Sequence, residues 1–140
     1  MAYAQSKTAN VLFAVEATRR WAADGIGANA VHPGGVRTHL HRHMPEESLS
    51  VAGRKAMRDW PWRTVEQGAA NSVLAAASPL LEGVGGRYFE NCNEALPRDQ
   101  DRPATDLDEV GVARYALDPD VARRLWDVST AMLRDAGWIG

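Results

Sequence analysis

The chain has 140 residues, 45% of them apolar and 24% charged, with a formal net charge of −2. This is one ordinary domain's worth of sequence, and its charge balance argues against a nucleic-acid or anionic-membrane binder, which carries a basic excess. The sole cysteine, Cys92, excludes an internal disulfide, and no apolar run approaches the ~18 residues of a membrane span, so the expected setting is reducing and cytoplasmic.

Tyr3 to Ala23 reads as a helix: it is rich in alanine, lacks Gly and Pro, and is followed by Gly25 as a stop. Lys7, Glu16 and Arg19-Arg20 interrupt its apolar character, which argues against a secretory signal. Thr8 to Ala17 is apolar on most sides and predicts a helix covered on two faces. Tyr3, Lys7, Asn10 and Ala14 fall on one stripe. A strand is expected over Ala28–His32, closed by Pro33-Gly34-Gly35. His39 to Trp62, rich in His, Met, Arg and Trp, reads as a loop-and-helix excursion with weak helical periodicity around Glu46–Met57. His39, His41 and His43 alternate, but no second cluster of ligands supports a metal site, and a partly solvated flap is the simpler reading. Trp60-Pro61-Trp62 either lines an apolar pocket or anchors this loop.

Thr64 and Gln67 form a capping box that starts the next helix, and Ala69, Val73, Ala76 and Ala77 predict its small-residue apolar face, ending before Pro79. A glycine turn, Gly83-Val84-Gly85-Gly86, then leads to a second strand over Arg87–Glu90. Cys92 is expected to be a small buried residue. Residues 97–117 read as an exposed connector, polar and acidic from Pro97 to Glu109. A last helix over 118–137 opens with Asp118 as cap and Pro119 in its first turn. Val121, Leu125, Val128 and Met132 form its expected buried stripe, Arg123 and Arg124 its solvated face, and Gly137 its end.

The chemistry-bearing pair is Tyr3 and Lys7, one helical turn apart. A free phenol, with a pKa of about 10, is a poor base at neutral pH. An ammonium about 4 Å from a phenolate stabilises it by about 4 kcal/mol at an effective dielectric near 20. Such a pair can exchange a proton with an alcohol or carbonyl oxygen. Alone, Tyr-x-x-x-Lys is a weak signal, and a plain surface helix carries it by chance. Here Y-A-Q-S-K is followed by an apolar helix, a strand and P-G-G-V-R-T.

This combination resembles the short-chain dehydrogenase/reductase family. E-Q-G-A-A, E-G-V-G-G-R-Y-F-E-N-C and A-R-R-L-W resemble its retinol-dehydrogenase-like and protochlorophyllide-reductase-like branch, and the likeness runs over nearly all of the chain. The resemblance implies an α/β fold: the C-terminal half of a Rossmann-type doubly wound parallel sheet domain, truncated, helix-rich, with about two short strands. It implies Tyr3 as general acid/base and Lys7 as its electrostatic partner and a donor to the cofactor ribose. Pro33, Gly34 and Val36 would lie near a nicotinamide ring, and Thr38 would contact its amide or the diphosphate. Residues 38–63 would be a substrate flap. The implied cofactor is NAD or NADP, with NADP favoured by the branch, and the implied substrate is a small-molecule alcohol or carbonyl compound; the apolar, Trp-containing flap points to a hydrophobic one. The family's early strands, Gly-rich phosphate turn and catalytic serine lie upstream of its tyrosine. Gly83, Gly85 and Gly86 precede a strand and do not open a helix, so they are no substitute. The chain alone is therefore expected to be inactive and marginally stable, with an exposed apolar patch on its first helix. The alternative reading is a non-catalytic helical interaction module, forming a homo-oligomer through helices 3–23 and 64–77, or an inactive remnant.

Overall fold

The computed structural model describes residues 2–39, 50–99 and 111–140. Helix α1 spans Ala2–Trp21 and continues as a 3₁₀ turn over Ala22–Asp24. It stops at Gly25, whose positive φ of 74° suits a residue without a Cβ. Strand β1 follows at Ala30–His32, then helix α2 at Val51–Asp59, helix α3 at Val65–Ala77 and a 3₁₀ turn at Pro79–Leu81. Strand β2 covers Tyr88–Glu90, and three two-residue strands come next: β3 at Asn93–Glu94, β4 at Pro97–Arg98 and β5 at Val112–Ala113. A 3₁₀ turn at Arg114–Leu117 leads into helix α4, Pro119–Asp135.

Strands β1 and β2 pair in parallel, with Ala30, Val31 and His32 opposite Tyr88, Phe89 and Glu90. β3 adds antiparallel to β2, giving the order β1-β2-β3. A parallel pair requires a crossover, and α3 lies in the connection between the two strands. This helix-rich arrangement with a small mixed sheet is an α/β layering. β4 and β5 form a separate parallel pair.

Polar side chains stitch these elements together. The Thr18 hydroxyl of α1 both donates to the Ala28 carbonyl and accepts from the Ala28 N–H, at 2.9 Å each, fixing the approach to β1. Asn29 donates to the Val84 carbonyl at 2.9 Å and accepts from the Arg87 N–H at 3.0 Å, binding the start of β1 to the turn before β2. Gly85 sits so close to α1 that a Cβ there would lie 2.7 Å from Thr18 Cγ2, so this approach requires glycine. The core holds Val11, Ala95, Val112 and Ala116, with Ala30, Tyr88, Ala113 and Leu117 packed against it.

Helix α4 packs on α1 through aromatic rings. Trp126 stacks on Phe13 with centroids 5.5 Å apart and meets Trp21 edge-on at 5.6 Å. Arg20 lies 4.8 Å from the Trp126 ring centroid. A cleft of about 330 Å³ remains between the two helices, lined in part by Asn10, Phe13, Leu125 and Thr130.

Several sequence expectations are corrected here. On α4, Val121, Val128 and Met132 are exposed, while Ala122 is buried and Trp126 half-buried. The aromatic contact with α1 rotates the helix off its aliphatic stripe. On α3, Ala69, Val73, Ala76 and Ala77 are exposed, and Gly68 and Asn71 are the buried positions. Cys92 is exposed, in a turn where Asn91 and Cys92 both have positive φ. Five strands replace the expected two among the described residues. Part of the stretch read as an exposed connector enters the structure, because Val112 and Ala116 are buried. Helix α2 supplies the expected helix of the 39–62 excursion over Val51–Asp59, and residues 40–49, with His41 and His43, lie outside the described residues. Cover on α1 is partial: Val11, Leu12, Ala14, Glu16 and Ala17 are buried, but Phe13 is 51% exposed.

Candidate functional site

The residues singled out from the sequence fall into two groups in the structure. The first is on α1. Tyr3 is 76% exposed and Lys7 is exposed beside it, with the Lys7 ammonium 5.2 Å from the Tyr3 ring centroid. The four-residue helical spacing brings the two together as expected. The ammonium forms no ion pair among the described residues, so its donors face solvent.

The second group lies where β1 ends. A parallel strand's carboxyl end is where open α/β sheets take ligands. Here the chain turns through Pro33 and Gly34, whose φ of +83° favours glycine. The turn is held from above by the segment that follows α2. Arg63 N–H donates to the Gly35 carbonyl at 2.8 Å, Arg37 N–H donates to the Arg63 carbonyl at 3.1 Å, and Val36 and Arg63 form an isolated parallel bridge. The Arg63 guanidinium reaches the Pro33 carbonyl at 3.5 Å and also bonds the Asn91 side-chain oxygen. A Cβ at Gly35 would collide with the Trp60 indole, and Trp62 donates through Nε1 to the Met57 carbonyl at 2.9 Å. Trp60 and Trp62 therefore act as loop anchors. Val36 packs against Gly68 of α3, leaving no room for a side chain there. Thr38 and His39 are exposed at the start of the excursion. Tyr3 and Lys7 bond to none of Pro33, Gly34 or Val36.

Asn71 lies beneath this turn, 1% exposed. Its amide donates to the His32 carbonyl at 2.7 Å and the Phe89 carbonyl at 3.2 Å, and its oxygen accepts from Cys92 N–H at 3.1 Å. Both amide donors and the side-chain oxygen have partners at these strand ends, as burial demands. Sequence reasoning overlooked Asn71, Arg63 and Asn91. For Asn71 a signal existed: it is the one amide inside the alanine-rich stretch Gly68–Ala77. Arg63 lies just before a capping box and carries no pattern of its own.

The electrostatics of the strand ends are mixed. Partial burial, and then the Arg63 guanidinium, pull the His32 imidazole below its ordinary range. Burial pushes the Glu90 carboxyl up, opposed in part by Arg98. Burial, and then Glu90, push the Tyr88 phenol up. The described residues hold no group of three or more His, Cys, Asp or Glu side chains able to bind a metal ion. No helix among them is long and apolar enough to cross a membrane.

Comparison with known proteins places these features in context. No family model and no solved structure matches the chain. It is 50% identical over 143 residues to a Streptomyces antibioticus protein named "Probable oxidoreductase", covering 97% of this chain and 46% of the relative. It is 38% identical to human "Retinol dehydrogenase 14", over 94% of this chain and 34% of the relative. A Penicillium roqueforti protein named "Short-chain dehydrogenase/reductase prx1" is 36% identical, over 94% and 38% respectively. The chain thus spans less than half the length of these relatives, and over 94% of its own length it is a homologue of short-chain dehydrogenases/reductases.

Proposed function

We propose that this chain supplies the tyrosine-bearing half of a Rossmann-type, NAD(P)-dependent short-chain oxidoreductase that interconverts an alcohol and a carbonyl. The observation that carries this reading is the Tyr3–Lys7 pair on one face of α1, in a chain homologous to named oxidoreductases. In this reading Tyr3 gives or takes the proton at the substrate oxygen. Lys7, beside it on the same face, is its electrostatic partner and offers donors to the cofactor ribose. Pro33, Gly34 and Val36 present backbone at the carboxyl end of β1, and Thr38 adds a hydroxyl beyond it. This donor set fits the nicotinamide–ribose end of a dinucleotide. The usual cradle for a diphosphate, a Gly-rich turn that runs from a strand directly into a helix N-terminus, is lacking among the described residues. When bound, the dinucleotide supplies the hydride chemistry. NADP is favoured over NAD by the likeness to the retinol dehydrogenase branch. The segment between Thr38 and Arg63 serves as the flap over an apolar substrate.

The test is a chimera in which this chain replaces its matching stretch in the Streptomyces antibioticus relative. With NADP or NAD and a panel of aromatic and aliphatic alcohols, it turns over. Tyr3→Phe lowers its kcat by about 10²–10⁴, the usual worth of a positioned acid/base. Unchanged kcat in the Tyr3→Phe chimera would overturn the assignment. The 140-residue chain by itself is expected to give no turnover.

The exposed row Ala69, Val73, Ala76 and Ala77 on α3 favours a second reading, a helical contact surface that pairs this chain with another through α1 and α3. Partner capture by this chain, with no NADPH binding by the chimera, would support this over the enzyme reading.

A further inference from the structure

We infer that Asn71 and Arg63 are positioning residues that set the Pro33–Gly34 turn, by tying it to the Asn91–Cys92 turn at the neighbouring strand's end. As a statement about the cofactor site this rests on the function proposed above; as a statement about the turn it stands on geometry alone.

Adjacent parallel strands need a device to keep their ends level, because the ladder stops there and the carbonyls have lost their partners. At the entry of β1 and β2 that device is Asn29, bound to Val84 and Arg87. At the exit it is Asn71. One amide group holds the last carbonyl of β1, at His32, and a carbonyl of β2, at Phe89. The same side chain accepts from Cys92 and so fixes a turn that occupies the left-handed region at two successive non-glycine residues. Such a turn is strained and persists only where its surroundings hold it. Arg63 closes the arrangement from outside, joining Pro33 and Asn91 through its guanidinium while its backbone pairs with Gly35 and Arg37. The two side chains bracket the turn, one buried and one at the surface. Arg63 also ends the segment that follows α2, so that segment is fixed to the turn.

The experiment uses the 140-residue chain and two variants, Asn71→Asp and Arg63→Lys. Protection of single amides from hydrogen exchange is read by NMR. The Arg63 and Arg37 amides report the turn, and the Ala30 and Gly86 amides report the other end of the sheet, where they donate to Arg87 and Ala28. Asn71→Asp keeps the acceptor for Cys92 but removes both donors. Near pH 8 we expect protection at Arg63 and Arg37 to fall about tenfold, on the scale of an unpaired buried group, with Ala30 and Gly86 unchanged. Near pH 5 the buried carboxyl holds its proton more readily, donates again to His32, and restores protection in part. The wild-type chain at both pH values removes the contributions of His32 and Glu90, which titrate nearby. Arg63→Lys, which keeps the charge but loses the fork, gives the same local loss at Arg37 without rescue by acid, and decides the matter if Asn71→Asp does not fold. Equal loss at all four amides, or none at Arg37 in Arg63→Lys, overturns the inference. NADPH titration runs in parallel on the chimera described above. Absence of binding there counts against the cofactor reading alone, because the exchange pattern is read without cofactor.

Discussion

Glu16 has no accessible surface, yet it is a carboxylate on a helix that buries mostly alanine and aliphatic side chains. It is tolerated because two guanidiniums neutralise it. Arg19 bonds it at 2.6 and 2.8 Å and Arg20 at 2.7 Å, and both arginines remain partly exposed. The Arg19 hydrogen bond holds the carboxyl below its usual range; burial opposes it, and Arg20 adds to the lowering. A carboxyl with a lowered folded-state value stabilises the fold above its unfolded value of about 4.3, and the contribution is lost as pH falls through the lower folded value. Glu16→Gln should therefore cost about 1.5 kcal/mol at neutral pH, on the scale of hydrogen bonds to charged groups. The deficit should shrink in acid, as read by thermal unfolding across pH. Glu90 has the opposite sign. Burial raises its value, so ionising it costs stability as pH rises through the folded-state value. Glu90→Gln should raise the unfolding midpoint at pH about 7 and leave it nearly unchanged near pH 4, below the ordinary carboxylate value. An equal effect at both pH values would show that the shape of the side chain matters, not its charge.

Among elements, the most exposed to a single change is α4. Its attachment to α1 runs through Trp126, which touches Phe13, Trp21 and Arg20 at once. The neighbouring ion pair, Arg20 to Asp127 at 3.5 Å, lies at the surface and adds little. Trp126→Ala should cost about 3 kcal/mol or more, in the range for removing a large packed aromatic. It should also release α4 to limited proteolysis while β1 and β2 stay protected. This element also shows where the sequence was readable. The boundaries were legible because they rest on local chemistry: Asp118 accepts from the Asp120 and Val121 amides, Thr64 and Gln67 cap each other across α3, and Gly25 and Gly137 end their helices in positive φ. The packed faces were not. Val121, Leu125, Val128 and Met132 make a regular stripe, yet the stripe one residue on, with Ala122 and Trp126, meets the aromatic residues of α1. Periodicity counts apolar residues and cannot weigh a ring stack against them. β3, β4 and β5 have two residues each, too short for alternation to register. At the site, the Tyr3–Lys7 pairing and the Pro33–Gly34 turn were legible from spacing and turn residues. Asn71 and Arg63 were not, because their roles exist only once β1, β2 and the post-α2 segment converge.

At the scale of the whole molecule, the core is thin. The buried apolar residues among those described are Val11, Leu12, Ala14, Ala17, Phe89, Ala95, Val112, Ala116 and Ala122, and five of these nine are alanine. Alanine buries little area, so four side chains supply most of the hydrophobic stabilisation. Large apolar groups stand outside instead: Phe13 at 51%, Val128 at 52%, Met132 at 67% and Trp138 at 79% exposed. Among the described residues β1 has a partner on one edge only, since the sheet runs β1-β2-β3. An open edge and an apolar surface of this kind invite association. The slope of a denaturation curve scales with the surface exposed on unfolding, and complete small domains give about 1–3 kcal/mol/M in urea. The 140-residue chain should fall at or below the bottom of that range, with a broad transition whose midpoint rises with protein concentration as the apolar faces pair. A steep, concentration-independent transition would mean that the exposed residues cost the fold nothing, and that the few buried ones suffice.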